Sequence, residues 1–258
     1  MTKNKANPSN SDTSENGAQR TKAPDATVVI PVYNEEILLE QAVTDFMEAL
    51  KAVDWSYEII ITENGSKDQT VEIATALAER IENVRFLHTG EPNYGLALRR
   101  GIKEARGTYV LCDEIDICDV EFHSRAMDIL QADKCDMVVG SKAHKDANDP
   151  RPMMRRVATQ TINMMLRVSL GFKGTDTHGL KAFRRERLLP VVDECIVDKD
   201  LFASEFVIRA ERGGYRILEI PVEIEEKRAP SINLYRRVPN VLKNLGRLIM
   251  AIRFNRDV

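Results

Sequence analysis

An α/β fold, a mainly parallel sheet flanked by helices in a single domain, is what this sequence predicts. Short β-branched apolar runs alternate with helical stretches between Thr27 and Lys142, and loops rich in Asn, Asp, Glu and Gly follow the ends of the runs. No apolar run approaches the roughly 20 residues needed to span a bilayer. With 258 residues, 43% of them apolar, there is chain enough for one large core, and collagen-like, disordered and coiled-coil classes are excluded.

Residues 1–25 are mostly Asn, Ser, Lys and Thr, so ordering them recovers little burial against the entropy lost, and a disordered tail is expected. TVVIPVY (27–33) reads as a buried strand ended by Pro31 and Asn34. Residues 35–52 place Leu38, Leu39, Ala42, Val43, Phe46 and Leu50 at helical spacing. YEIIIT (57–62) is a strand, ENGSKDQ (63–69) a turn, and TVEIATALAERI (70–81) a helix with Glu72 in its first turn. VRFLHT (84–89), helix 96–105, strand TYVLCD (108–113), helix 121–133 and strand DMVVGSK (136–142) continue the alternation. Such βαβ units make right-handed crossovers, and their ligands bind beyond the carboxyl ends of the strands. That rule selects four loops: PVYNEE, TENGSKD, EPNYG and DEID.

The formal charge is −3, which gives no reason to expect nucleic acid as a partner. The total conceals an asymmetry: residues 151–187 and 227–258 each carry +7, leaving −17 for the remainder. Cys112, Cys118, Cys135 and Cys195 form no CxxC pair, so reduced thiols in a cytoplasmic protein are expected.

Taken singly, each loop is ordinary turn chemistry. Their order and spacing resemble the family 2 glycosyltransferases of the GT-A (Rossmann-like) fold, and within them the polyprenyl-phosphate (dolichol-phosphate) sugar transferases. The resemblance runs from about Thr27 to Ser231 through VVIPVYNEE (28–36), ENGSKDQT (63–70), NYGLALRRGIKEARG (93–107), GSK (140–142), GTDTHGLKAFRRE (174–186), GGYRILEIPV (213–222) and KRAPS (227–231). It implies a domain over 26–231 followed by a C-terminal segment, 232–258.

The resemblance implies Mg²⁺ or Mn²⁺ at Glu114 and Asp116, where relatives carry Asp-x-Asp, with Asp113 just before. Carboxylate oxygens suit such cations. Cys118 stands where relatives can offer a further oxygen, and its soft thiol is left out of the shell. Pro31, Tyr33, Asn34, Glu35, Glu63, Asn64, Gly95 and Asp113 are implied around the nucleotide, with Glu63 and Asn64 replacing the usual acidic pair. A helix N-cap is an alternative role for Asn34. Asp116, Lys142, Lys181 and Arg228 are implied in catalysis, at the donor diphosphate or acceptor phosphate. Asp176, His178, Ser231 and Glu205 are candidates on the acceptor side.

The last segment, LYRRVPNVLKNLGRLIMAIRF, reads as a basic amphipathic helix after Pro239, with Val241, Leu242, Leu245, Leu248, Ile249 and Ile252 in one stripe. The stripe suits an anionic membrane interface, the protein's own domain or a second subunit of a homo-oligomer, and a lipid acceptor favours the first.

The expected function is metal-dependent, inverting transfer of a sugar from a GDP- or UDP-linked donor to a phosphorylated acceptor, a polyprenyl phosphate. The protein is expected in the cytoplasm, peripheral on the cytoplasmic membrane face. Two rivals stay open: a soluble, retaining transferase acting on a small phosphorylated acceptor, and a nucleotide-sugar-binding protein without turnover.

Overall fold

The computed structural model describes residues 23–142, 144, 153–222 and 234–254. Of the tail expected over residues 1–25, residues 1–22 lie outside the described residues, as do the KRAPS block with Arg228 and Ser231 and the side chains of Val241 and Leu242; Asp25 is held by Ser56 and by Tyr109 N.

The first half follows the alternation read from the sequence: β1 (Ala26–Val32), α1 (Leu39–Ala49), β2 (Tyr57–Glu63), α2 (Thr70–Arg80), β3 (Val84–His88), α3 (Tyr94–Glu104), β4 (Tyr109–Cys112), α4 (Val120–Gln131) and β5 (Met137–Ser141). Every residue of β1, β4 and β5 is buried, as strands covered on both faces require. The second half adds α5 (Met153–Leu170), β6 (Lys181–Arg184), α6 (Arg185–Glu194), α7 (Phe202–Arg212), β7 (Ile217–Pro221) and α8 (Leu234–Phe254). β6 (KAFR) and β7 (ILEIP) interrupt their apolar residues with charge, which is why no apolar run announced them.

The seven strands lie in the order β3-β2-β1-β4-β6-β5-β7. β1 pairs in parallel with β2 and β4, β2 with β3, and β5 with β7, whereas β6 runs antiparallel to both β4 and β5. The order turns back between β1 and β4, so the crevice at their carboxyl ends is the topological switch point. Pro31 marks the place where they part. The β1–β4 ladder ends at Val29 and Cys112, with Asp113 N–H donating to Val29 O at 3.0 Å. Pro31, two residues on, has its nitrogen on that same side, where no partner needs a donor.

Packing decides the alternative for α8. Leu245, Leu248 and Ala251 are buried, and Ile249 and Ile252 pack against the same cluster as Leu166, Leu170 and Phe206. Arg209 Nη2 donates to Ala251 O at 3.3 Å and Arg253 Nε to Ser169 O at 2.8 Å. The described part of the stripe is therefore core and offers nothing to a membrane. The helix also begins five residues before Pro239 rather than after it.

At the edge opposite the crevice, Asp136 ties β7 to β5. Its carboxylate accepts from Arg216 N at 2.9 Å and Nε at 3.3 Å, and from Arg187 Nη1. The Arg216 guanidinium holds this carboxyl well below its ordinary 3.8, against the opposing effect of burial. A depressed pKa contributes stability above pH 3.8 that is lost as pH falls through the folded value. Asp136→Asn should cost about 2 kcal/mol at pH 7 in urea unfolding, discounted for half-exposed partners, with the deficit shrinking below about pH 3.

Candidate active site

The loops after β1 and β2 are sewn to each other by side chains. Asn34, in the left-handed region at φ 55°, donates its N–H to Ser66 Oγ and accepts from Lys67 N at Oδ1, both at 2.9 Å. Glu35 N–H donates to Thr70 Oγ1 at 2.7 Å, and Gln69 N–H to Glu36 Oε2 at 3.0 Å. Asn34 is thus a loop clasp rather than a helix N-cap, because α1 begins only at Leu39. Asn64 binds Val32 O twice, through its backbone N–H at 3.1 Å and its side-chain amide at 3.0 Å.

Glu63 ends β2 in register with Val32 and His88 and is sealed from solvent. Burial raises its pKa, but bonds from the Ser66 N–H and hydroxyl, His88 and Gly65 outweigh this and hold it below the usual carboxylate range. His88, itself half exposed, joins Glu63 to the open side of the crevice. Tyr33 is exposed at the mouth, and Pro31 is buried in β1, where it parts the strands.

The DEID loop leaves β4 at the switch point. Asp113 is turned inward: Oδ1 accepts from Glu114 N at 2.7 Å, Oδ2 from Asp119 N at 3.1 Å, and His123 Nε2 lies 3.0 Å from Oδ2. His123 is fully buried, edge-on to Phe46 and Phe122. Asp113 therefore shapes the loop, leaving Glu114 and Asp116, both half-buried, to face outward charge. Burial pushes the Glu114 pKa up; the Lys142 charge opposes this, while Asp116 and Asp113 add to it. Cys118, at φ 50°, donates its thiol to Glu114 O and Ile115 O within its own loop.

The reversed direction of β6 brings the second half to the same edge. Lys181 opens β6 opposite Cys112, the last residue of β4, and opposite Val139 of β5. Its ammonium is buried, donates to Gly179 O at 2.7 Å, and has a pKa lowered by desolvation against the charges of Cys112, Asp176 and Glu114. Burial pushes the Cys112 thiol up to about 12, keeping it neutral beside that lysine. Asp176 is buried and accepts from His178 N at 2.8 Å and Gly179 N at 3.2 Å, while the His178 ring is exposed and its Nδ1 lies 3.1 Å from Thr177 Oγ1. Gly179 has no room for a side chain: a Cβ would fall 1.7 Å from Gly140 O. Lys142 follows the carboxyl end of β5.

Two sequence candidates are corrected. Glu205 is sealed in α7, with Oε2 accepting from Ile196 N at 3.0 Å and Val197 N at 2.7 Å and Oε1 from Arg209 Nε at 2.7 Å. Three donors occupy it and no substrate reaches it. Gly95 faces protein: a Cβ there would lie 2.4 Å from Lys199 O, so its smallness serves the approach of α3 to residue 199. The residues that sequence reasoning missed are neighbours. Asn93 caps α3, accepting from Leu96 N at 3.0 Å and Lys199 N at 2.8 Å and donating to Asp198 at 3.0 Å. The Tyr94 phenol is desolvated beside Glu114, Cys112, Asp113 and Asp116, which raises its pKa further. The capping Asn ahead of α3 was the one available signal for this corner.

Acidic loops at the switch point of a mainly parallel sheet, with Lys142 and the buried Lys181 at the same edge, are an arrangement of the GT-A kind. The chain belongs to glycosyl transferase family 2, whose model matches residues 27–189. It is 29% identical over 244 residues to glycosyltransferase AglD of Haloferax volcanii, covering 91% of this chain and 39% of the relative. It is 29% identical to dolichyl-phosphate beta-glucosyltransferase of Dictyostelium discoideum (78% and 66%) and 32% to undecaprenyl-phosphate 4-deoxy-4-formamido-L-arabinose transferase of Pectobacterium atrosepticum (62% and 48%). The matches thus span between 39% and 66% of these relatives' lengths. Glucosyl-3-phosphoglycerate synthase from Mycobacterium tuberculosis, solved with Mg²⁺ and UDP, shares the fold at TM-score 0.56 and 20% identity, covering 89% of this chain and 76% of that one.

Because Glu205 holds the 196–197 turn, Glu205→Gln should lower the melting temperature by roughly 4–8 °C, from about 2 kcal/mol of lost charged hydrogen bonds, and leave nucleotide-sugar binding within twofold of wild type by calorimetry.

Proposed function

We propose that this protein transfers a sugar, with inversion, from a nucleoside-diphosphate sugar to a polyprenyl phosphate. The observation that carries the reading is that Glu114, at the β1–β4 switch point, lies within the fields of both Lys142 and Lys181 and of its neighbours Asp116 and Asp113. Relatives named for dolichyl-phosphate and undecaprenyl-phosphate transfer support the acceptor.

The donor base would lie over the loops of Tyr33, Glu35, Glu63 and Asn64, and the His88–Glu63 pair would meet it with a donor or an acceptor according to tautomer. The diphosphate would extend toward Glu114 and Asp116. Among the described residues no three His, Cys, Asp or Glu side chains converge on one point, so these two carboxylates are the side-chain donors on offer. They fit Mg²⁺ or Mn²⁺: both are hard oxygen donors, and Glu114 is half-buried beside like charge that a cation would relieve. When bound, that cation would neutralise charge on the departing diphosphate.

The phosphate acceptor would be held by Lys142 and Lys181, with His178 at its outer rim. Its oxygen is already anionic, so it attacks the anomeric carbon without a base while the bond from that carbon to the diphosphate breaks. The engagement of Glu205 elsewhere is consistent with a reaction that asks for no base. Asp176, fixed beneath His178 and Gly179, positions this loop.

The test combines melting-temperature shifts with UDP- and GDP-sugars in Mn²⁺ and transfer of labelled sugar to polyprenyl phosphate in detergent. One donor family should stabilise the protein strongly. Asp116→Asn should reduce transfer by about 100-fold or more with an unchanged melting temperature. Full activity in that variant, or transfer only to a small soluble phosphate ester, would overturn the reading.

A further inference from the structure

The apolar stripe expected to meet a membrane is buried in α8, yet a different stripe is exposed, on α5. Met153, Met154, Val157, Met164 and Val168 are 72, 56, 53, 67 and 77% exposed. At 3.6 residues per turn they fall within an arc of about 100° along the whole helix. Thr161 completes the line, its hydroxyl turned back to Val157 O at 2.9 Å, so the group left outward is its methyl. The opposite face is occupied by Leu166 and Leu170 in the core, with Ile162 and Met165 packed beside them. A soluble surface helix normally shows polar residues where α5 shows methionine and valine.

The charged side chains of these two helices have one sign. Neither α5 nor α8 contains an Asp or Glu. Arg156 and Arg167 are exposed on α5, and Lys243 and Arg253 on the neighbouring α8, whose outward face also carries exposed Met250 and Phe254. Arg253 Nε on Ser169 O joins the last turns of the two helices. Apolar side chains with these cations beside them are complementary to a surface that is apolar within and anionic without.

We propose that α5, flanked by the basic face of α8, docks on the surface of an anionic lipid bilayer, with its methionine and valine stripe inserted among the headgroups. The helix lies flat: no described helix is long and apolar enough to cross a membrane. Docking would also serve the site. Asn163 Nδ2, on the flank of α5, donates to Thr175 O, and Thr175 begins the loop that carries Asp176, His178 and Lys181. A bilayer seated on α5 would therefore hold that loop near the headgroup plane, where a lipid phosphate is presented.

The inference takes its meaning from the lipid-acceptor reading but is measured apart from it, by co-sedimentation of the full chain with vesicles that contain no polyprenyl phosphate. Wild type should bind vesicles of phosphatidylcholine with about one-third phosphatidylglycerol at least tenfold better than phosphatidylcholine alone, and lose that advantage in about 0.5 M salt. Met164→Glu with Val168→Glu should reduce binding at least tenfold with the melting temperature and donor-induced shift unchanged. Arg156→Gln with Arg167→Gln should weaken only the anionic preference. Failure of wild type to bind anionic vesicles, equal binding by the Met164→Glu, Val168→Glu protein, or a wild-type dimer that this variant converts to monomer would overturn the proposal. Docking without transfer would sink the lipid-acceptor reading alone; transfer in detergent without docking would sink this one alone.

Discussion

Strand β4 is bonded on one side to a strand running with it and on the other to a strand running against it, and the site depends on that arrangement. The parallel partner, β1, parts from β4 beyond Val29, and the crevice opens there. The antiparallel partner, β6, enters the sheet from the crevice side, so the loop before it lies where the other loops lie after their strands. Had β6 run parallel, Asp176, His178 and Lys181 would sit at the far edge, beside Asp136, and of the two lysines only Lys142 would remain near Glu114.

The charges at this edge are held in place by bonds within the protein. Asp113 is spent on Glu114 N and Asp119 N, and Glu63 on its own turn and His88. Asp176 is spent on two backbone N–H groups. These carboxylates cost little to bury because each is met by donors. Glu114 is different: burial and like charge both oppose its ionised form, and Lys142 and Lys181 are the compensating charges among the described residues. A group left so poorly compensated at a switch point is where incoming charge has most to gain.

Much of the first half was legible because its strands are mostly apolar and separated by amphipathic helices, so β1 through β5 fall within a few residues of expectation. Boundaries slipped where side chains, not periodicity, decide: α3 begins at Tyr94 because Asn93 caps it, and α1 begins late because Asn34, Glu35 and Glu36 are occupied by the loop after β2. Among site residues, the strand-end acidic and amide groups were readable from position. Glu205 was not, since an acidic residue on a helix gives no sign that its carboxylate caps a turn eight or nine residues earlier. The resemblance implies Gly95 beside the nucleotide, but the space at its α-carbon is taken by Lys199.

The amino-acid sequence by itself determined the class of fold, the loops at the ligand edge and the split between an acidic first half and a basic second half, because these follow from local periodicity and composition. Tertiary structure alone decided the direction of β6, and with it which cations meet which carboxylates. It also decided which apolar stripe is core and which is surface. Both α5 and α8 carry apolar stripes with cations beside them, and amphipathicity is the same for a helix facing a core or a bilayer. What separates them is contact: Leu245 and Leu248 of α8 close the core, while α5 closes it with Leu166 and Leu170 and leaves Met164 and Val168 outside.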